Sequence, residues 1–410
     1  MITLKTGAET LIESKLDRLH YKNIGIITNH TSVVRFENGG TEHLVDYLHR
    51  QPDITIKGLF SPEHGLRGDV PPGQHVEHGV DTRTGIPIYS LYGKNKKPTP
   101  EMLEDIDVLL YDIQDVGVRF YTFISTLAYT MEAAALHGIK YFLLDRPNML
   151  SNRIVEGPLL SDSLRSFVGA LPIPVVYGMT PGELALMVNN EKWLQGGIAA
   201  DLEVVPILNY NRSIWYDETG LDWVNPSPNV RSMDAVITYP GIALLEGTNI
   251  SEGRGTDSPF LLVGAPFING ASLEKYLRSQ NHPGIGFEKT VFVPEASRQP
   301  KGAPKYSNMR CDGVRLIVED RESLRPIELG LSIIAAIHAL YPDKLRFREP
   351  WFDRLIGTES VRSLIMKGLN ATEISSTWME ETHYFKMNSE KYYLYQNSKP
   401  HYIPDSTLTK

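Results

Sequence analysis

The sequence predicts an α/β protein: a doubly wound parallel sheet followed by a second, smaller α+β domain. Three observations point there. Short apolar runs alternate with helical stretches through the first half. Each of the first four such runs leads directly into a polar cluster. Further on, strand-like segments stand farther apart and are followed by a strongly apolar helix. The chain has 410 residues, room for two domains.

The elements follow in order. "NIGIITN" (23–29) is an Ile-rich buried strand, and "TEHLVDYLHRQ" (41–51) has helical spacing at Leu44, Val45 and Leu48. "ITIKGLFS" (54–61) and "DVLLYDI" (107–113) read as further strands. "YTFISTLAYTMEAAALHG" (121–138) reads as a helix stopped at Gly138, and "KYFLLDR" (140–146) as a fourth strand. "IPVVYG" (173–178) is strand-like. "TPGELALMVNNEKWL" (180–194) opens with Thr180 as cap, Pro181 at the first helical position and Glu183 three residues after the cap, a capping box. "LEVVPIL" (202–208) ends the series. In the second half, 258–268, 290–296 and 311–320 look like strands. Residues 326–342 form an apolar helix opened by Pro326, and two shorter helices follow around "VRSLIMKG" and "ATEISSTWMEETHYF". The division between domains is expected near 235, giving residues 1–235 and 236–410.

Charge and composition remove several classes of function. The net charge is -8, which argues against a nucleic-acid partner needing a basic face. No run is apolar for long enough to insert in a membrane, and the N-terminus lacks the apolar core of a signal peptide. As given, the chain reads as cytoplasmic; a secreted protein whose leader had been removed would read the same way. The single cysteine, Cys311, permits no intrachain disulfide and reads as structural. Oligomeric state leaves no mark in the sequence.

In an open parallel sheet, ligands bind outside the carboxyl ends of the strands. The first four predicted strands end there in Asn29-His30-Thr31, Ser61-Pro62-Glu63-His64, Asp112-Ile113-Gln114-Asp115 and Asp145-Arg146-Pro147-Asn148. Singly, such residues are ordinary turn and cap formers. Four clusters in succession at one edge favour a site. Neither G-x-G-x-x-G nor G-x-x-x-x-G-K-[ST] is present, so a nucleotide site is unsupported. Two later stretches, 225–241 with Asn225, Asn229 and Arg231, and 244–260 with Glu246, Asn249, Glu252, Arg254 and Asp257, read as shaped loops near the domain junction.

Carboxylates dominate the candidates: Glu63, Asp112, Asp115, Glu246 and Glu252. A pair of them can hydrolyse a glycosidic bond, one protonating the leaving oxygen while the other activates water or attacks the anomeric carbon. Glu63, beside His64 on a loop shaped by Pro62 and Gly65, is the first acid candidate. Two rivals stand beside this reading. His30, His64, Asp112 and Asp145 could gather a divalent ion, but His75 and His78 fall in a loop and no H-E-x-x-H occurs. A sugar-binding protein without catalysis would use the same polar and aromatic groups.

The motifs "GIITNHTS", "LFSPEHGLRGD", "YDIQDVGVRFYTF", "LDRPN", "GMTPGELA", "NPSPNVRSMDAVITYPG" and "LLEGTNISEGRGTDSPF" together resemble the NamZ-type exo-β-N-acetylmuramidases, in the family's order and over most of the chain. The resemblance implies a Rossmann-like N-terminal domain, a smaller C-terminal one, and an active site in the cleft between them. It implies release of N-acetylmuramic acid from the non-reducing end of peptidoglycan fragments, sugars or muropeptides, in cell-wall turnover, without a nicotinamide cofactor; neither a cofactor nor a metal is expected. The "PEHG" glutamate falls on Glu63. The expected catalytic set is Glu63, His64, Asp112, Glu246 and Glu252. The expected substrate-binding set is Asn29, His30, Gln114, Asp115, Arg119, Arg231, Asn249 and Arg254. Muramic acid carries a lactyl carboxylate, best met by an Arg, and Arg119 or Arg254 is expected to meet it.

Overall fold

The computed structural model describes residues 3–63, 65–67, 79–298 and 302–396. Helix α1 (Gly7–Ser14) precedes β1 (Lys22–Thr28), a hairpin of β2 (Val33–Arg35) and β3 (Thr41–His43), α2 (Leu44–His49) and β4 (Ile54–Ser61). After β5 (Gly79–Val80) and β6 (Pro87–Ser90) come β7 (Val108–Asp112), α3 (Phe123–His137), β8 (Lys140–Leu144), α4 (Pro181–Asn190) and β9 (Leu202–Val205). These strands form one seven-stranded sheet in the order β5-β6-β4-β1-β7-β8-β9. All its pairings are parallel except β5 with β6.

Alternation along the strands explains why helices cover both faces. Ile26, Leu59, Leu110 and Phe142 are buried on one side, with Ala8 and Leu11 of α1 and Leu44 and Leu48 of α2. Ile27, Phe60, Leu109, Tyr111 and Leu143 are buried on the other, with Phe123 and Leu127 of α3 and Leu184 and Val188 of α4. A period of two places neighbouring residues on opposite faces.

The second domain holds a three-stranded antiparallel sheet of β10 (Leu262–Ala265), β11 (Ile285–Phe292) and β12 (Cys311–Val318), in the order β10-β12-β11. Around it lie α5 (Met233–Ile242), α6 (Gly270–Ser279), α7 (Pro326–Leu340), α8 (Glu349–Ile356), α9 (Ser360–Met366), α10 (Ala371–Ser376) and α11 (Met379–Ser389). Helices α5 and α7 cross where Gly241 meets Gly330. A Cβ on Gly241 would lie 1.8 Å from the Pro326 carbonyl oxygen, so no larger residue fits there.

The predicted capping box of α4 is present: Thr180 accepts from Glu183 N, and Glu183 accepts from Thr180 N. Gly138 ends α3 at φ 65° in the left-handed region. Other expectations differ. Residues 173–178 make no strand beyond isolated bridges of Val176 to Val118 and Glu156, and Pro172 and Pro174 remove two donors from that stretch. The helix expected over 41–51 is confined to 44–49, because 41–43 pair with β2. Residues 233–242, expected within a loop, are helical: Ser232 caps the first turn, and Pro240 comes late in the helix. Helices α1, α6 and α8 were not expected.

Candidate active site

The strand order β6-β4-β1-β7-β8-β9 reverses direction of growth between β1 and β7, the usual ligand crevice of such sheets. Here that crevice is filled by the chain's own groups. Asp112, fully buried at the end of β7, accepts from Arg146 Nε at 2.5 Å and Arg146 Nη2 at 3.0 Å, and from the Ser32 hydroxyl. Asn29 folds back to take Thr31 N and Oγ1 at 3.0 and 2.6 Å. His30 Nε2 lies 2.8 Å from the Asn225 carbonyl oxygen, and burial lowers its pKa. Gln114 donates to the carbonyls of Asp115 and Pro147. Asp115 accepts from Tyr177 at 2.5 Å and from Gly117 N at 2.6 Å, and burial pushes it up to about 7. Asp145 accepts from Thr180, Gly182 N and Tyr395, and burial pushes it up to about 6.

The open cavity lies farther along the same edge, at the ends of β4 and β6, where the second domain leans over. Its volume is about 600 Å³, within the range of small-ligand sites. From the first domain it is lined by Glu63, Tyr92, Lys96, Thr122 and Phe167, and from the second by Tyr239, Glu246, Arg254, Trp351 and Arg354. A smaller recess of about 110 Å³ adjoins it, sharing Glu63, Thr122, Tyr239 and Arg254 and adding Ser227, Asn229 and Phe260. The rings of Phe120, Tyr121, Tyr239 and Phe260 pack edge-on to form its floor. Edge-to-face packing of this kind holds aromatic side chains in fixed positions.

Glu63 follows β4 directly. The Thr122 hydroxyl donates to its Oε2 at 3.3 Å. The Tyr92 phenol is a second neighbour; burial, then the Glu63 charge and their hydrogen bond, push its pKa up. The loop is held from behind. Arg67 reaches Asp46 of α2 at 2.7 and 2.9 Å and Asp81 at 2.8 and 3.2 Å, while Gly65 turns at φ 77°. Arg67 therefore fixes the loop rather than facing the cavity. His64, Asp69, His75 and His78 lie outside the described residues.

On the opposite wall, Glu246 accepts from Arg254 Nη2 at 2.6 Å. Burial pushes Glu246 above the usual carboxylate range; Arg254 opposes this, while Glu252 and Glu63 add repulsion. Glu252 is also buried, but Lys305 and Arg254 outweigh the burial and hold it below its usual value. Lys305 donates to Glu252 at 2.8 Å and to the carbonyls of Leu245 and Ile250. The two acids, only six residues apart, thus differ in environment: Glu246 lines the cavity, whereas Glu252 anchors the loop beneath it.

The structure brings together Glu63, Glu246 and Arg254 from the expected sets, and does not bring Asn29, His30, Asp112, Gln114, Asp115 or Arg119 to this cavity. Arg119 is fully buried, donating to the carbonyls of Pro158, Ile173 and Leu355; burial without a carboxylate lowers it to about 9. It is in no position to meet a substrate carboxylate. Arg231 is exposed and donates to Pro228 O, and Asn249 ties its loop to Lys344 O and Arg346 N. For the metal alternative, His30, Asp112 and Asp145 are bonded to separate partners, and no group of three His, Cys, Asp or Glu forms among the described residues. Sequence reasoning missed Tyr92, Lys96, Thr122, Phe167, Trp351 and Arg354. Thr122 stands within the motif "YDIQDVGVRFYTF", and the run "YGKNKK" (92–97) was the local signal for Tyr92 and Lys96.

The N-terminal family of the exo-β-N-acetylmuramidase NamZ matches residues 24–234, and its C-terminal family matches residues 237–395. The peptidoglycan β-N-acetylmuramidase NamZ of Bacillus subtilis (strain 168) is 44% identical over 393 residues, spanning 96% of this chain and 91% of that protein. Two crystal structures of DUF1343 family proteins from Bacteroides fragilis NCTC 9343 are similar, with TM-scores of 0.88 and 0.79. Each is 35% identical, covering 97% of this chain and all of the other.

Proposed function

We infer that this chain, which belongs to the exo-β-N-acetylmuramidase NamZ family, is a glycosidase releasing N-acetylmuramic acid from the non-reducing end of peptidoglycan fragments. The observation that carries the inference is one cavity with a carboxylate on each wall: Glu63 from the Rossmann-like domain and Glu246 from the smaller one. Hydrolysis of a glycosidic bond needs a proton for the leaving oxygen and a carboxylate at the anomeric centre. Two acids in mutual repulsion divide those roles, because one is held protonated more easily than the other.

We assign the proton in the free enzyme to Glu246, the acid that burial and its neighbours push up. Glu63 then works ionised at the anomeric centre, with Thr122 and Tyr92 fixing its carboxylate. Arg254 holds Glu246 in place and lets its proton leave once the bond breaks.

The test is hydrolysis of an aryl β-N-acetylmuraminide by Glu63→Gln and Glu246→Gln. General acid–base groups contribute roughly 10²–10⁴-fold, so each variant should lose at least that lower amount in kcat. In the Glu246→Gln protein, the alkaline limb of the kcat/KM profile should also disappear. A required acid is active below its pKa and fails as pH rises through it. Near-normal turnover in both variants would overturn the assignment.

A further inference from the structure

The cavity contains more positive charge than its carboxylates use. Glu246 on one wall and Glu252 beneath it are matched by Arg254 and Lys305, and ion pairs link the four groups. Two cations remain. Lys96 lies in the loop after β6, with its ammonium 4.9 Å from the centre of the Phe167 ring. Arg354 lies in the last turn of α8, one turn after Trp351. Both are exposed, both line the cavity, and neither has an acidic partner among the described residues.

Exposed cations are commonly just solvated. These two differ in their setting. They come from different domains onto the same cavity, and each neighbours an aromatic side chain there. An aromatic face covers the apolar side of a sugar ring, while a cation beside it meets an anionic substituent. Muramic acid adds to the sugar a lactyl ether ending in a carboxylate. Entering a cavity that already holds the ionised Glu63, that carboxylate meets repulsion unless a cation receives it. Arg254, engaged by Glu246, is not free to do so.

We propose that Lys96 and Arg354 form the subsite for the lactyl carboxylate of the terminal muramic residue, flanked by Phe167 and Trp351. The proposal rests on the muramidase reading above. Arg119 acts on this subsite as a positioning residue. Its Nη2 donates to Leu355 O at 3.1 Å, fixing the end of α8 against the first domain. Gly357, at φ 88°, leaves room for that guanidinium; a Cβ there would lie 2.2 Å from Arg119 Nη2.

Two substrates separate charge recognition from catalysis: an aryl β-N-acetylmuraminide with a free lactyl carboxylate, and its neutral lactyl methyl ester. The wild-type protein should show the lower KM for the acid. Lys96→Gln and Arg354→Gln should each raise KM for the acid about tenfold, as loss of one charge-assisted hydrogen bond does, and move kcat far less. The double variant should bring acid and ester to the same KM, and Arg354→Lys should recover part of the preference. An acid-to-ester KM ratio in the double variant equal to the wild-type ratio would overturn the subsite alone. Hydrolysis of neither compound by the wild-type protein would overturn the muramidase reading, and the subsite with it.

Discussion

Two neighbouring stretches of one sheet edge carry the same kinds of residue to opposite ends. At β1, β7 and β8 the polar groups close on each other: Asp112 with Arg146 and Ser32, Asp145 with Thr180 and Tyr395. At β4 and β6 the polar groups face a cavity that the second domain completes. The difference is in what lies opposite. The β7 carboxylate meets a guanidinium at the end of the adjacent strand, β8, within the same domain. Glu63 meets a wall built from residues 239–254 and 351–355. Acids of the first kind hold the fold, and acids of the second kind are available to a substrate.

The largest expected effect separates the two kinds outright. Glu63→Gln should reduce kcat by 10²-fold or more while leaving the thermal midpoint nearly unmoved. Asp112→Ala should do the reverse. It strands Arg146 in a buried site, and breaking such a pair costs about 3–5 kcal/mol, read by urea denaturation. The molecules that remain folded should keep their KM. Loss of activity at unchanged stability in Asp112→Ala would erase the distinction.

A smaller effect belongs to the C-terminal segment. Tyr395 donates to Asp145 at 2.6 Å and, through its hydroxyl oxygen, accepts from Ile207 N at 3.0 Å. Tyr395→Phe should cost about 1–2 kcal/mol in the same denaturation experiment, with kcat unaltered. The smallest effect is a slope. Burial raises the folded pKa of Asp145 from 3.8 to about 6. Its neutral form favours folding, so that contribution is complete below pH 3.8 and is lost as pH rises through about 6. Asp145→Asn should flatten the fall in thermal midpoint over that window; an unchanged slope would show that Asp145 does not titrate there.

Strands β1, β4, β7 and β8 were legible because each is a short apolar run, and α4 because its capping box is local. Glu63 was legible because its loop follows a strand end directly. The convergence of Asn29, His30, Asp112 and Gln114 on a ligand was not correctly legible. Sequence shows that these residues end strands, but not that Arg146 reaches across to close the crevice. Trp351 and Arg354 were hidden for a different reason: they meet Glu63 only through tertiary folding, nearly 300 positions later in the chain. Arg119 misled because it lies in one of the motif stretches, and sequence does not show that its side chain is fully buried. Its three carbonyl partners come from residues 158, 173 and 355.

The most direct measurement supplies two disaccharides, MurNAc-GlcNAc and GlcNAc-MurNAc, and follows the products by mass spectrometry. Free N-acetylmuramic acid and N-acetylglucosamine should appear from the first and not from the second. No product from MurNAc-GlcNAc, or equal cleavage of both, would contradict an enzyme that removes muramic acid from the non-reducing end.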